Sequence, residues 1–159
     1  MASYPSPQPD GIDVRLGDKA PLHSSGVGKT LLAYQQRSMW GHVARTFGFP
    51  HYTSKTITNL ASLRKELEQI REQGYALDQE ETMEGMIGVA GPVFDHTRRV
   101  IAAFSVAGPA TRLSPERVPE IARLVCAASD QISYRLGYRP GRRRAGRQVG
   151  KSAGGQVGR

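Results

Sequence analysis

The chain has 159 residues, 38% apolar and 23% charged, the balance of one soluble domain with a single core. No apolar run reaches the roughly 18–20 residues of a membrane-spanning helix, and the opening MASYPSPQPDG has neither the basic start nor the apolar centre of a secretory signal, so a cytoplasmic location is expected. Cys126 is the only cysteine, which excludes an internal disulfide and a thiolate metal cluster within one chain.

The formal net charge of +8 points to nucleic acid until its placement is considered. Of the 22 Lys and Arg residues, Arg139, Arg142, Arg143, Arg144, Arg147, Lys151 and Arg159 follow Tyr138, where no acidic residue stands. The rest holds 15 basic against 14 acidic residues and is nearly neutral. Basicity belongs to the tail, where weak, salt-sensitive and sequence-independent attraction to RNA or DNA is the strongest reading it supports.

Residues 1–11, rich in Pro and Ser, have nothing to bury and are expected to form a disordered arm. The alternation of Ile12, Val14 and Leu16 with Asp13 and Arg15 fits one short strand. In PLHSSGVGKTLLAY, Ser24 or Ser25 can cap a helix whose apolar side is Val27, Leu31, Leu32 and Tyr34. Its Gly-containing N-terminus presents free N–H groups and the positive pole of the helix, a place for a small anion. The same stretch partly fits the phosphate-binding pattern G-x-x-x-x-G-K-[ST]. Gly28-Lys29-Thr30 matches its end, but His23 stands where the first glycine belongs and no buried strand leads in. A capped packing helix is the preferred reading, and a P-loop-like nucleotide-binding protein the alternative.

A second helix is predicted around Met39–Phe47, with Trp40, Val43 and Phe47 at helical spacing and Gly48 and Pro50 closing it. Tyr52–Thr58 reads as extended. Asn59 then caps a helix from Leu60 to Gln73 whose buried face is Leu60, Leu63, Leu67 and Ile70, with Gly74 as its left-handed stop. Three apolar runs follow, Tyr75–Leu77, Met86–Phe94 and Val100–Val106, and the polar Asp95-His96-Thr97-Arg98 joins the last two. This pattern predicts a β-meander. The acidic group Asp78, Glu80, Glu81 and Glu84 reads as a solvated turn, except that Asp78 can point inward from a strand end. Ser114-Pro115-Glu116 opens a long helix with the stripe Val118, Ile121, Leu124, Val125, Ala128, Ile132 and Leu136, stopped by Gly137. The Gly- and Arg-rich residues 139–159 lack periodicity and are expected to be disordered. His23, His42, His51 and His96 share no metal-ligand spacing, and no nucleophile–base pair or paired carboxylate declares itself, so no catalysis, metal or cofactor is expected.

Four segments, PLHSSGVGKTLLA, YTSKTIT, LRKELEQIREQGYALDQEETMEGMIGVAGPVFD and AAFSVAGPATRLSPERV, in that order and spacing, resemble the C-terminal effector-binding domain of IclR-type transcriptional regulators over about residues 16–137. The resemblance implies an α+β fold, a partial GAF- or profilin-like antiparallel sheet flanked by helices over residues 12–138. It further implies a small-molecule effector, such as a carboxylate or aromatic acid, held by Gly26, Val27, Asp78, Gly88, Ser105 and Ala107. Glyoxylate- and pyruvate-responsive members have Cys at the position of Gly88 and Ser at that of Ala107, so either a larger or less polar effector or a degenerate pocket is expected here. Family members bind DNA as oligomers through a winged helix. Nothing before Leu16 resembles that element or the start of the effector domain, which leads to the expectation of an exposed sheet edge and of self-association or pairing with a full-length regulator.

Overall fold

The computed structural model describes residues 17–140. The arm, the expected strand at Ile12–Leu16 and the basic tail beyond Pro140 lie outside the described residues.

The chain runs through helix α1 (Gly26–Ala33), α2 (Arg37–Phe47) and α3 (Leu60–Gln73), strands β1 (Ala76–Gln79), β2 (Met86–Phe94) and β3 (Val100–Pro109), a short 3-10 turn at Pro115–Arg117, and α4 (Val118–Arg135). The strands form an antiparallel sheet in the order β1-β2-β3, the expected meander. Asp95 closes the β2–β3 hairpin by accepting on Oδ1 from the Thr97 N–H, the Thr97 hydroxyl and the Arg99 N–H. The Thr97 hydroxyl, first among these bonds, holds the Asp95 carboxyl below its ordinary range.

Side chains alternate across the sheet, and the two faces carry different layers. One face, with Ala76, Gly88 and Ala90, supports α1. Behind α1 lie α2 and α3, in a core of Leu32, Trp40, Val43, Leu63, Leu67 and Ile70. The other face, with Ile87 and Val89, packs against Leu113, Ile121, Ala122 and Val125 of the α4 segment. Helix α3 has the predicted limits because both ends are specified locally. Asn59 accepts from the Ser62 N–H, and Gly74 takes φ +85°, a conformation that costs a side-chain-bearing residue about 1 kcal/mol or more.

Three stripes differ from expectation. Phe47 is 65% exposed although Trp40 and Val43 of the same helix are buried. On α4, Leu124, Ile132 and Leu136 are exposed, Ala128 is half-buried, and Ser129 and Ser133 take the inner positions. The reason is space: a Cβ at Gly91 of β2 would lie 2.6 Å from Ser129 Oγ and 3.3 Å from Val125 Cγ1, so the helix approaches the strand too closely for larger residues. On α1, the buried positions include Lys29 and Thr30, while Leu31 is half-buried. Tyr52–Thr58 contains a turn, with the Thr56 N–H donating to the Thr53 carbonyl at 3.2 Å, where an extended segment was expected. Ser114 makes no side-chain bond to the helix backbone; its hydroxyl instead bonds Glu116 and keeps that carboxyl low.

Candidate functional site

The N-terminus of α1 is built by a chain reversal that needs glycine. Ser25 donates its N–H (3.2 Å) and its hydroxyl (2.6 Å) to the Pro21 carbonyl, and its Oγ accepts from the Gly28 N–H at 3.0 Å. A Cβ at Gly28 would fall 2.1 Å from the Pro21 oxygen, so no other residue fits. Ser25 satisfies the third amide of the helix by its side chain and the fourth, that of Lys29, by its carbonyl. Among the described residues the Gly26 and Val27 N–H groups have no acceptor. This is the open helix end read from the sequence.

Beneath it, strand register sets two rows on one sheet face. Asp78, Gly88 and Ala107 stand side by side, and Ala76, Ala90 and Ser105 form the next row. A Cβ at Gly88 would lie 3.6 Å from Asp78 Cβ and 3.7 Å from Ala107 Cβ, and one at Gly26 would lie 3.3 Å from Ala90 Cβ and 3.7 Å from the Gly88 carbonyl. All six candidate residues are thus gathered under or beside the tip of α1. Gly26 and Gly88 are buried, Val27 and Asp78 half-buried, and Ser105 and Ala107 on β3 exposed.

Asp78 is more occupied than the sequence indicates. Its Oδ1 accepts from the Glu81 N–H (2.8 Å) and the Thr82 N–H (3.2 Å), tying down the turn after β1, while Oδ2 has no partner among the described residues. That turn is clamped from three sides. The Thr56 hydroxyl donates to the Glu81 carbonyl (2.6 Å), the Thr53 hydroxyl donates to the Glu80 carbonyl (2.7 Å), and the Thr82 hydroxyl donates to the buried Ser24 Oγ (3.2 Å). Glu80 accepts from Lys55 and from the Gly85 N–H, and Lys55 is the larger reason its carboxyl stays low.

Glu81, read as part of a solvated turn, is buried. Its Oε1 accepts from the fully buried Lys29 ammonium at 2.5 Å, Lys29 also reaches Glu66 Oε1 at 2.9 Å, and Glu81 Oε2 has no partner among the described residues. Burial outweighs Lys29 and raises the Glu81 carboxyl to about 7. The partners of Lys29 lie 37 and 52 positions away in sequence, so no local spacing announces the cluster. The cluster also decides against a phosphate-binding loop. The lysine is spent inside the protein, and the sheet beside it is antiparallel, unlike the strand–loop–helix unit that motif requires.

Two cavities open elsewhere. One of about 490 Å³ lies between His23, Phe47, Phe49 and Tyr52, and one of about 370 Å³ between Lys55, Gln79, Glu80 and Pro115. None of the six candidate residues lines either. The face under α1 is a shelf open toward β3. Among the described residues no group of His, Cys, Asp and Glu has the arrangement of a metal site, and burial raises the Cys126 thiol above its usual range. No helix among them is long and apolar enough to cross a membrane.

The described fold is a three-stranded antiparallel sheet flanked by helices, with the end of α1 over a row of small residues and one carboxylate. The chain belongs to the IclR family: the model of the bacterial transcriptional regulator IclR C-terminal domain, the effector-binding domain, matches residues 6–134. The match takes in residues 6–15, upstream of Leu16, where the sequence resemblance starts. The chain is 41% identical over 122 residues to the transcriptional repressor AllR of Salmonella paratyphi A, covering 76% of this chain and 44% of AllR; it therefore spans less than half of that relative. The crystal structure of the C-terminal domain of E. coli KdgR superposes with a TM-score of 0.72 at 38% identity, covering 80% of this chain and 78% of that one. The inducer-binding domain of PobR from Acinetobacter, a double mutant in complex with 3-hydroxybenzoic acid, superposes with a TM-score of 0.70 at 26% identity, covering 75% and 69%.

Proposed function

We propose that this domain binds a small organic acid on the shelf under α1 and passes its presence to the DNA-binding action of a regulator, without catalysis of its own. In this reading the Gly26 and Val27 amides receive the carboxylate, Ser105 adds a hydroxyl, Asp78 Oδ2 accepts from an effector hydroxyl or a bridging water, and Gly88 and Ala107 leave room for the ligand's body. The observation that carries it is the convergence of two acceptor-free helix amides and the Asp78–Gly88–Ala107 row on one sheet face. The 3-hydroxybenzoic acid bound by PobR lends weight to an aromatic acid. The domain acts in the cytoplasm, self-associates or pairs with a full-length relative, and meets DNA only indirectly or weakly through its tail.

A melting-temperature screen against small carboxylates and aromatic acids tests the reading, since a ligand at a hundred times its Kd stabilises by about 2.7 kcal/mol. Gly88→Val is the informative control: its Cβ fits the space between Asp78 and Ala107, and its methyls fill the shelf. A hit that Gly88→Val abolishes and Ser105→Ala weakens supports the site. A hit indifferent to both places the ligand elsewhere.

A further inference from the structure

Helix α2 carries Arg37, His42 and Arg45 and no acidic residue. Its neighbour α3 brings Arg64 and Lys65, and the two carboxylates that follow them are engaged, Glu66 with Lys29 at 2.9 Å and Glu68 with Arg37 at 3.3 Å. The surface where the two helices meet therefore holds an excess of positive charge.

That excess is focused on one point. At Gly41, midway along α2, the position a Cβ would take lies 3.3 Å from Nη1 of Arg45 and 4.0 Å from Nη2 of Arg64. Two guanidinium groups, one from each helix, thus flank the same spot. Both arginines are exposed, the glycine beneath them is buried, and neither arginine has a hydrogen-bond or ion-pair partner among the described residues. Two cations held this way repel each other, and an anion between them turns the repulsion into a pair of charge-assisted hydrogen-bonding forks.

The glycine has a part in this. In a helix interior glycine is less stabilising than alanine, so its use there calls for a reason. A methyl group at residue 41 would press on the Arg45 guanidinium and fill the floor between the two arginines. Glycine keeps that floor open.

The chemistry of the pair selects the ligand. A carboxylate offers one charge and two oxygens in a plane, which a single guanidinium fork satisfies. A phosphate group at neutral pH carries a charge of about −1.5 to −2 on oxygens that point in several directions, enough to engage forks arriving from two helices.

We propose that Arg45 and Arg64, over Gly41, form a binding site for a phosphate dianion, either the free ion or the phosphoryl group of a small metabolite. The site shares no residue with the shelf under α1 and does not depend on it.

The chain supplies its own reporter. Trp40, its one tryptophan, adjoins Gly41, and the guanidinium groups of Arg37 and Arg71 lie 6.0 and 5.0 Å from its ring centre. The test is titration of the full chain with inorganic phosphate and then with glycerol phosphate, at fixed ionic strength against chloride, read by Trp40 fluorescence. The expected result is a saturable change with phosphate and none with chloride. Arg45→Gln and Arg64→Gln, with melting temperatures unchanged, should each weaken it about tenfold or more, and Gly41→Ala should weaken it too. Arg123→Gln, at an exposed position on α4, should leave it intact. A tighter response to glycerol phosphate identifies the phosphoryl group of a metabolite as the ligand, and an equal one the free ion; both support the site. A response that survives both arginine variants, or that Gly88→Val abolishes, puts the anion elsewhere and overturns it. So does a phosphate titration indistinguishable from chloride.

Discussion

The ammonium of Lys29 sits 2.5 Å from Oε1 of Glu81, with no part of the lysine side chain exposed. Glu66 completes the cluster at 2.9 Å, and Asp78 faces it through the Glu81 N–H. Folding raises the Glu81 carboxyl from 4.5 to about 7, so between those values the native state holds more proton than the unfolded chain. The associated stability is full below about pH 4.5 and is lost as pH rises through 7. Urea unfolding at about pH 5 and about pH 8 should differ by a contribution on the order of 1–3 kcal/mol that Glu81→Gln removes. Glu80, Asp95 and Glu116, held low, act in the opposite sense at more acid pH and are common to both proteins.

Thr56 supports the turn after β1 with both functions of one hydroxyl. It donates to the Glu81 carbonyl and accepts from the Thr53 and Tyr52 N–H groups. Thr56→Val keeps the shape, strips the Thr53 and Tyr52 N–H groups of their acceptor, and leaves the Glu81 carbonyl only the longer bond from the Thr53 hydroxyl. A loss of about 1–3 kcal/mol is expected by denaturant titration.

Gly91 and Ser129 form a coupled pair. The Ser129 hydroxyl is buried without a partner among the described residues and occupies the space a Cβ at residue 91 would need. Ser129→Ala should be neutral or stabilising, and Gly91→Ala should cost about 1–3 kcal/mol. The double variant should recover much of that loss. A thermal double-mutant cycle reads the coupling directly.

Trp40 and Phe47 lie on the same helix and should respond oppositely. Trp40 is 1% exposed, donates its indole N–H to the Leu32 carbonyl at 2.9 Å and lies under the Arg71 guanidinium at 5.0 Å. Trp40→Ala should cost about 3–5 kcal/mol. Phe47→Gln should change stability by less than about 0.5 kcal/mol. Equilibrium unfolding of the two variants checks both.

What could be read from the sequence was what neighbouring residues decide. Helix α3 is specified by Asn59 and Gly74 within its own span, and β2 by an apolar run between turn residues, so both appeared with the limits expected. The face α4 buries is decided by Gly91 on another element, which admits Ser129 and turns Leu124 outward; periodicity alone cannot register that. Glu81 was read as solvated for the same reason, its counter-charge Lys29 being distant in sequence. The candidate shelf was legible as residue types from the family resemblance. That Asp78 spends one oxygen on its own turn emerges only from the folded chain.

Helix α1 is only eight residues long, yet it stands as a shim between the sheet and the outer pair of helices. Lys29 rivets it to Glu66 of α3, and Arg71 of α3 grips the Ala33 and Gln35 carbonyls at its far end. Whatever lifts the tip of such a shim must therefore lever α3 outward with it or shear a buried ionic rivet. A nudge of an ångström beside Gly26 thus has a rigid lever, rather than slack loop, through which to be felt on the domain's outer wall.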